Sequence, residues 1–175
     1  MIYPMLIRRE HATDHPAVHA VHLAAFAASP GSDGGRVEAG LTERLRDGPW
    51  FLPRLSLVAV IDGAVVGHVI ATRGSVEQAP ALGLGPLGVL PEHQKRGVGG
   101  ALMHAVIAAA EALDETLIAL LGHPEYYPRF GFVPAAELGV TSPDPAWGAA
   151  FQARRLSEAA PRGRFRYAEP FETLG

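Results

Sequence analysis

One stretch, from Leu82 to Leu121, constrains this chain more than any other. It holds an apolar segment, Leu82–Leu90, then Gln94-Lys95-Arg96-Gly97-Val98-Gly99, then a long apolar-polar run, then Leu117–Leu121. From about Val98 to Ala112 the apolar residues Leu102, Ala105, Val106, Ala109 and Leu113 recur at helical spacing, which predicts an amphipathic helix. Leu117–Leu121 is unbroken and apolar, the pattern of a strand buried in a parallel pairing. Strand, helix and strand in this order make a right-handed crossover unit. The first strand is unusual in carrying Gly83, Gly85, Pro86 and Gly88. A proline inside a central strand removes a ladder donor, so a bulge or a separation from the neighbouring strand is expected there.

The remaining segments fit around that unit. Met5–Arg9 reads as a short strand, and Thr13 and Asp14 offer an N-cap for a helix with Pro16 in its first turn, running to about Ala27. Ser29–Gly35 is a run of turn formers, and Val37–Arg46 resumes a helical pattern ended by Gly48-Pro49. Ser56–Ile61 and Ala64–Arg73 are Val-rich runs joined by Asp62-Gly63, a strong hairpin signal. A short helix is expected near Glu125–Phe130, and strands at Phe151–Leu156 and Arg164–Tyr167. The class is α/β with a mixed sheet, in a single domain over residues 1–175.

Composition narrows the function. With 48% hydrophobic and 19% charged residues the chain reads as globular, and its net charge of −3 argues against a nucleic-acid partner held by phosphate contacts. The chain has no cysteine, which removes disulfides, thiolate nucleophiles and sulfur-ligated zinc. The start, MIYPMLIRRE, is too short and too polar for a signal peptide, and no run approaches the roughly eighteen apolar residues of a membrane helix. A soluble cytoplasmic protein with no membrane partner is the expectation.

The segment Gln94–Gly100 carries the chemistry. A helix N-terminus presents unpaired N–H groups and partial positive charge. Gly97 and Gly99 let backbone approach a phosphate, and Lys95 and Arg96 add charge beside it. A pyrophosphate cradle and a plain glycine turn starting a helix both fit a bare GxG. The dinucleotide fingerprint wants a third glycine where Leu102 stands, and the GxxxxGK[ST] loop is absent.

Gln94-x-x-Gly97-x-Gly99, following Leu87-Gly88-Val89-Leu90-Pro91-Glu92, resembles motif A of the GNAT superfamily of N-acetyltransferases. Val65-Val66-Gly67-His68 is similar to the family's preceding strand, and Tyr126-Tyr127-Pro128-Arg129-Phe130-Gly131-Phe132 to its short helix and Gly-Phe signature. That second string and the C-terminal strands are most similar to the YhbS-like branch, and the likeness covers roughly Leu57–Phe171. The resemblance implies a GNAT-like fold: a mixed, mostly antiparallel central sheet flanked by helices, with splayed strands forming an acyl-CoA groove. It implies acetyl-CoA as cosubstrate, no metal, and an amine acceptor, either a small molecule or a protein amine.

The family's roles carry over onto matching residues. Gln94, Lys95, Arg96, Gly97, Val98, Gly99 and Gly100 would hold the pyrophosphate, and the backbone of Leu87, Gly88 and Val89 would pair with the pantetheine arm. The N–H near Leu87 would face the thioester carbonyl as an oxyanion donor. Tyr127, four residues before Gly131, is the implied general acid for the leaving thiolate. Its alternative is a packed aromatic beside Tyr126, Phe130 and Phe132, and Tyr126 itself is read as packing. A catalytically silent acyl-CoA-binding or regulatory domain is the rival function.

No base is evident, because Ala81–Gly88 carries no titratable side chain. An alkyl ammonium of pKa about 10 is roughly one part in a thousand neutral at pH 7, so the proton matters. His68, His123, Glu125, a water chain and an acceptor of low pKa all stay open. His11, His15, His19 and His22 cluster early, and their expected place is a solvated helix face rather than a zinc site. His104 is expected at the surface or its boundary, and Trp50, Phe51 and Trp147 in packing rather than lining an acceptor pocket. For assembly, the expectation is a homodimer through the C-terminal strands.

Overall fold

The computed structural model describes residues 4–174. Met1–Tyr3, the beginning of the segment too polar for a signal peptide, and Gly175 lie outside the described residues. Strands β1 (Met5–Arg9), β2 (Ser56–Ile61), β3 (Ala64–Val76) and β4 (Ala79–Val89) form an antiparallel meander. Helices α1 (His15–Phe26) and α2 (Arg36–Asp47) lie between β1 and β2 in the chain. The β2–β3 turn is the expected Asp62-Gly63, with φ of 50° and 79°, the left-handed pair that a two-residue hairpin needs. Strand β3 runs past Arg73 to Val76, and a Glu77-Gln78 turn leads into β4. The polar Gly74-Ser75 and Glu77-Gln78 residues hid this second hairpin from the sequence pattern.

Helix α3 (Val98–Ala112) then crosses to β5 (Leu117–Leu121), which pairs parallel with β4. Short strands β6 (Val133–Pro134) and β7 (Val140–Thr141) follow, then β8 (Phe151–Arg155), β9 (Gly163–Arg166) and helix α4 (Glu169–Glu172). The order across the sheet is β1-β2-β3-β4-β5-β8-β6, with β9 against β3 and β7. The segment expected to be helical near Glu125–Phe130 is a 3-10 turn over Tyr127–Phe130.

Two layers of helix cover the sheet. Leu102, Met103, Val106, Ile107 and Ala110 of α3 are buried against Leu57, Ala59, Val66 and Val69 on one face. On the other face α2 buries Leu41 and Leu45 with Ile70, and α1 buries Val18, Val21 and His22. Asp14, expected as an N-cap, does not cap α1. Its carboxylate takes the Arg8 guanidinium at 2.6 and 3.0 Å and the His11 N–H at 2.7 Å.

The expected fault in β4 is present. Leu84 faces Ala71 and Leu87 faces Val69, so Gly85 and Pro86 share the space opposite Ile70. On its other side β4 pairs with β5 only at Leu82↔Ile118 and Gly83↔Ala119. Beyond Gly83 the two strands part, and the candidate site lies in the fork. Among the described residues, no helix is long and apolar enough to cross a membrane.

Candidate functional site

The fork opens a groove of about 970 Å³ between β4, the start of α3 and the turn around Tyr127. Its β4 wall is polar backbone. Leu90 N–H donates to Val66 O at 2.9 Å, toward β3. Strand alternation therefore turns the N–H groups of Leu87 and Val89, and the Leu87 carbonyl, toward the side that β5 has left. The Val89 carbonyl on that side is taken by Gln94 Nε2–H at 3.0 Å, which ties the loop to the strand end. A short ligand with alternating amide groups meets an unpaired strand edge here.

The floor is the N-terminus of α3. Its N-cap, Gly97, has a left-handed φ of 85° and supplies no side-chain cap. Ala101 N–H makes the first intrahelical bond, to Gly97 O at 2.9 Å, so the N–H groups before it have no partner within the helix. Gly97, Gly99 and Gly100 line the groove with Gln94 and Lys95, and Arg129, over the Tyr126 ring, lines it too. Leu87, Gly88 and Val89 line it from β4. Of the residues expected to hold a pyrophosphate, Arg96 is exposed outside the groove lining, and Val98 turns its side chain into the core at 3% exposure.

Tyr126 and Tyr127 form the third wall. Their rings meet edge to face at 5.0 Å, and Tyr127 also meets Phe132 at 6.0 Å. The edge of the Tyr127 ring that carries Cδ2 and Cε2 lies against Gly122 and leaves no room there for a side chain. Burial, with Tyr126 beside it, pushes the Tyr127 hydroxyl up to about 12. It is a proton donor throughout the neutral range. Tyr126 goes beyond packing: its hydroxyl reaches within 3.0 Å of where a Cβ on Gly99 would stand, above the helix N-terminus. Burial raises its pKa, opposed by the Arg129 cation 4.7 Å over its ring. Neither contact was visible in the sequence, because both depend on how the turn folds over α3.

The candidate bases separate. His123 lines the groove, whereas Glu125 is exposed outside it. His104, expected at the surface, is exposed and lines the groove, edge-on to Phe130 at 5.2 Å. Trp147 packs among Phe151 and Tyr167, and Trp50 and Phe51 against the Leu41–Leu45–Ile70 cluster, outside the groove.

His68 is fully buried beside Gly88, its register partner in β4. His22 requires a correction: it is 0% exposed and lies against His68, not on a solvated face. The helical wheel places Val18, Val21 and His22 together on the side of α1 facing the sheet. Two other histidines of the cluster bind carboxylates: His15 reaches Glu10 at 3.1 Å and His19 reaches Glu43 at 2.7 Å.

The family comparisons agree with this geometry. The acetyltransferase (GNAT) domain model matches residues 53–134. The uncharacterised N-acetyltransferase YhbS of Escherichia coli K12 is 30% identical over 162 residues, 91% of this chain and 92% of that protein. YjhQ of the same strain, also an uncharacterised N-acetyltransferase, is 38% identical over 113 residues, and that alignment spans only 62% of either protein. The structure of E. coli YhbS in complex with CoA superposes with a TM-score of 0.87 at 29% identity, covering 100% of this chain and 96% of that one. A GNAT acetyltransferase from Brucella melitensis, in complex with acetyl-CoA, gives 0.80 at 31% identity, covering 97% and 99%. With a relative at this identity aligned along nearly its whole length, the chain belongs to the GNAT family of N-acetyltransferases.

Proposed function

We propose that this protein transfers the acetyl group of acetyl-CoA to a primary amine by direct attack, with Tyr127 as general acid. The observation that carries the proposal is the parting of β4 and β5 beyond Gly83. It leaves the Leu87 and Val89 N–H groups and the Leu87 carbonyl unpaired above the uncapped start of α3. The residues fit the cosubstrate by chemistry. The pantetheine amides match the strand edge, the pyrophosphate matches the helix N-terminus with Lys95, and Gly97, Gly99 and Gly100 keep side chains out of its way. The CoA and acetyl-CoA held by the two structural relatives support the same donor.

In this mechanism the Leu87 N–H stabilises the oxyanion that forms as the amine attacks the thioester carbon. Collapse of the tetrahedral intermediate breaks the C–S bond; Tyr127 gives its proton to the departing thiolate, and the proton shed by the acylated nitrogen restores the phenol. Holding amine and thioester in one groove supplies much of the remaining rate. The acceptor is a small-molecule or protein amine entering past Ala25 and Phe26 on α1, which line the groove opposite the tyrosines.

Thiol release from acetyl-CoA, measured against a panel of small and peptide amines, tests the proposal. Amine-dependent release with an acetylated product supports it. Tight CoA binding with no turnover on any amine makes the chain a silent acyl-CoA-binding domain instead.

A further inference from the structure

Beneath the groove wall lies a chain of buried polar groups that the mechanism above does not use. His22 Nε2 is 2.8 Å from His68 Nδ1, and His68 Nε2 is 3.0 Å from Glu10 Oε2. Ser56 Oγ–H also donates to Glu10 Oε2, and Arg46 Nη2 binds Glu10 Oε1 at 2.6 Å. His15 Nε2, on a side chain 41% exposed, touches the same Oε1 at 3.1 Å. The chain therefore runs from the sheet interior to solvent.

The polarity of these bonds fixes the tautomers. Burial pushes Glu10 up, but the hydrogen bond and charge of His68, the Ser56 hydroxyl and the Arg46 charge outweigh it and hold the carboxyl at about 2. A carboxylate only accepts, so His68 Nε2 carries the proton and donates. His68 Nδ1 must then accept, so His22 Nε2 is the donor. That leaves a lone pair on His22 Nδ1, a fully buried atom with no hydrogen-bond partner among the described residues. Such an atom is costly unless something uses it.

It points at the groove wall. A Cβ on Gly88 would lie 2.7 Å from His22 Nδ1, so the wall at this point is one glycine thick. Gly88 lines the groove, as do Ala25 and Phe26 on the next turn of α1. Nothing ionisable on β4 approaches His22: the groups facing it are His19 on its own helix, His68 on β3, Arg46 on α2, and Glu10.

We propose that His22, backed by His68 and Glu10, accepts the proton of the attacking amine, and that the path through Glu10 to His15 returns it to solvent. This rests on the acetyltransferase reading above. The ammonium N–H passes to His22 Nδ1 through one water beside Gly88, the residue that separates the two. The His22 Nε2 proton moves to His68 Nδ1, and His68 becomes an imidazolium whose Nε2–H still donates to Glu10. The neutral amine is left to attack the thioester. Burial holds both imidazoles below their usual range, so the positive charge only passes through His68, beside the Glu10 carboxylate, and leaves by way of His15.

Two measurements test it. Long-range nitrogen–proton NMR of the 15N-histidine-labelled protein should find His22 protonated at Nε2 and bare at Nδ1; a proton on Nδ1 overturns the proposal without reference to activity. In His22→Gln the carboxamide can still donate to His68 but is no base. With an amine that the thiol-release panel finds active, kcat/KM should fall about a hundredfold at pH 7. The loss should shrink as pH approaches the amine's own pKa of about 10, with CoA affinity unchanged. A loss constant across pH, a parallel loss of CoA binding or an unchanged rate makes His22 structural and sinks the proposal. Should the variant fail to fold, the NMR measurement on the wild type decides. A wild-type protein silent with every amine, by contrast, overturns the acetyltransferase reading itself and leaves the path no reaction to serve.

Discussion

Tyr167 lies across the base of the β4–β5 fork, its ring so close to Gly83 that a Cβ there would stand 2.6 Å away. Gly83 is the last β4 residue to pair with β5, and the Leu121 backbone of β5 faces the Tyr167 hydroxyl. The ring is anchored by Phe165 at 4.8 Å and Phe171 at 4.5 Å between centroids. An aromatic from the C-terminal segment thus braces the point where the sheet splits.

Gly83→Ala should therefore push Tyr167 out of its seat and cost about 1–3 kcal/mol, as overpacking of a dense core does. Urea unfolding at neutral pH measures this. Stability equal to the wild type would show that the ring can shift at no cost and that the brace is not rigid.

Tyr127→Phe should lower turnover about a hundredfold while CoA affinity stays within about twofold, because in the proposed mechanism the hydroxyl acts on the leaving sulfur rather than in binding. The same variant separates a pH effect. Burial raises the Tyr127 pKa from 10.0 to about 12. The unfolded chain releases this proton first, so the wild type should lose stability as pH rises from about 10 toward 12. The variant should lose about 2 kcal/mol less across that window, read by denaturant unfolding at each pH.

Glu10→Gln leaves Arg46 buried without its counter-ion and should cost about 3 kcal/mol. The Glu10 carboxyl is held at about 2 against a usual 4.5. Its contribution is complete above the unfolded value and is lost as pH falls from about 4.5 to 2. Acid titration of stability should be steeper in the wild type than in the variant over that interval; matching curves would show that the carboxylate stabilises nothing.

Gly99→Val tests the floor of the groove. The new side chain projects toward the Tyr126 hydroxyl and over the start of α3. CoA affinity should fall at least about tenfold by calorimetry, with the melting temperature little changed. Unaltered affinity would place the pyrophosphate elsewhere.

Much of the site could be read from residue order alone. Helix α3 has the boundaries its periodicity predicted, Val98 to Ala112, and the β2–β3 hairpin turns at Asp62-Gly63. Local patterns suffice for these, because a helix start and a two-residue turn are decided by neighbouring φ values and by the spacing of apolar residues. Pro86 announced the fault in β4 for the same reason: a residue without an N–H cannot serve a central ladder, whatever surrounds it. The family's motif spacing then named the donor.

Only the tertiary structure decided what the histidines do. His15, His19 and His22 share one helix, and although the wheel puts His22 beside Val18 and Val21, it does not say what that face meets. Its proposed role comes from meeting His68, 46 residues away, over Gly88, and from Glu10 entering beyond the end of β1. Tyr126 and Tyr167 were likewise assigned by distant partners, Gly99 and Gly83. Backbone propensity acts over a few residues and is written in order along the chain. Proton affinity, burial and the direction of a lone pair depend on which segments the fold brings together.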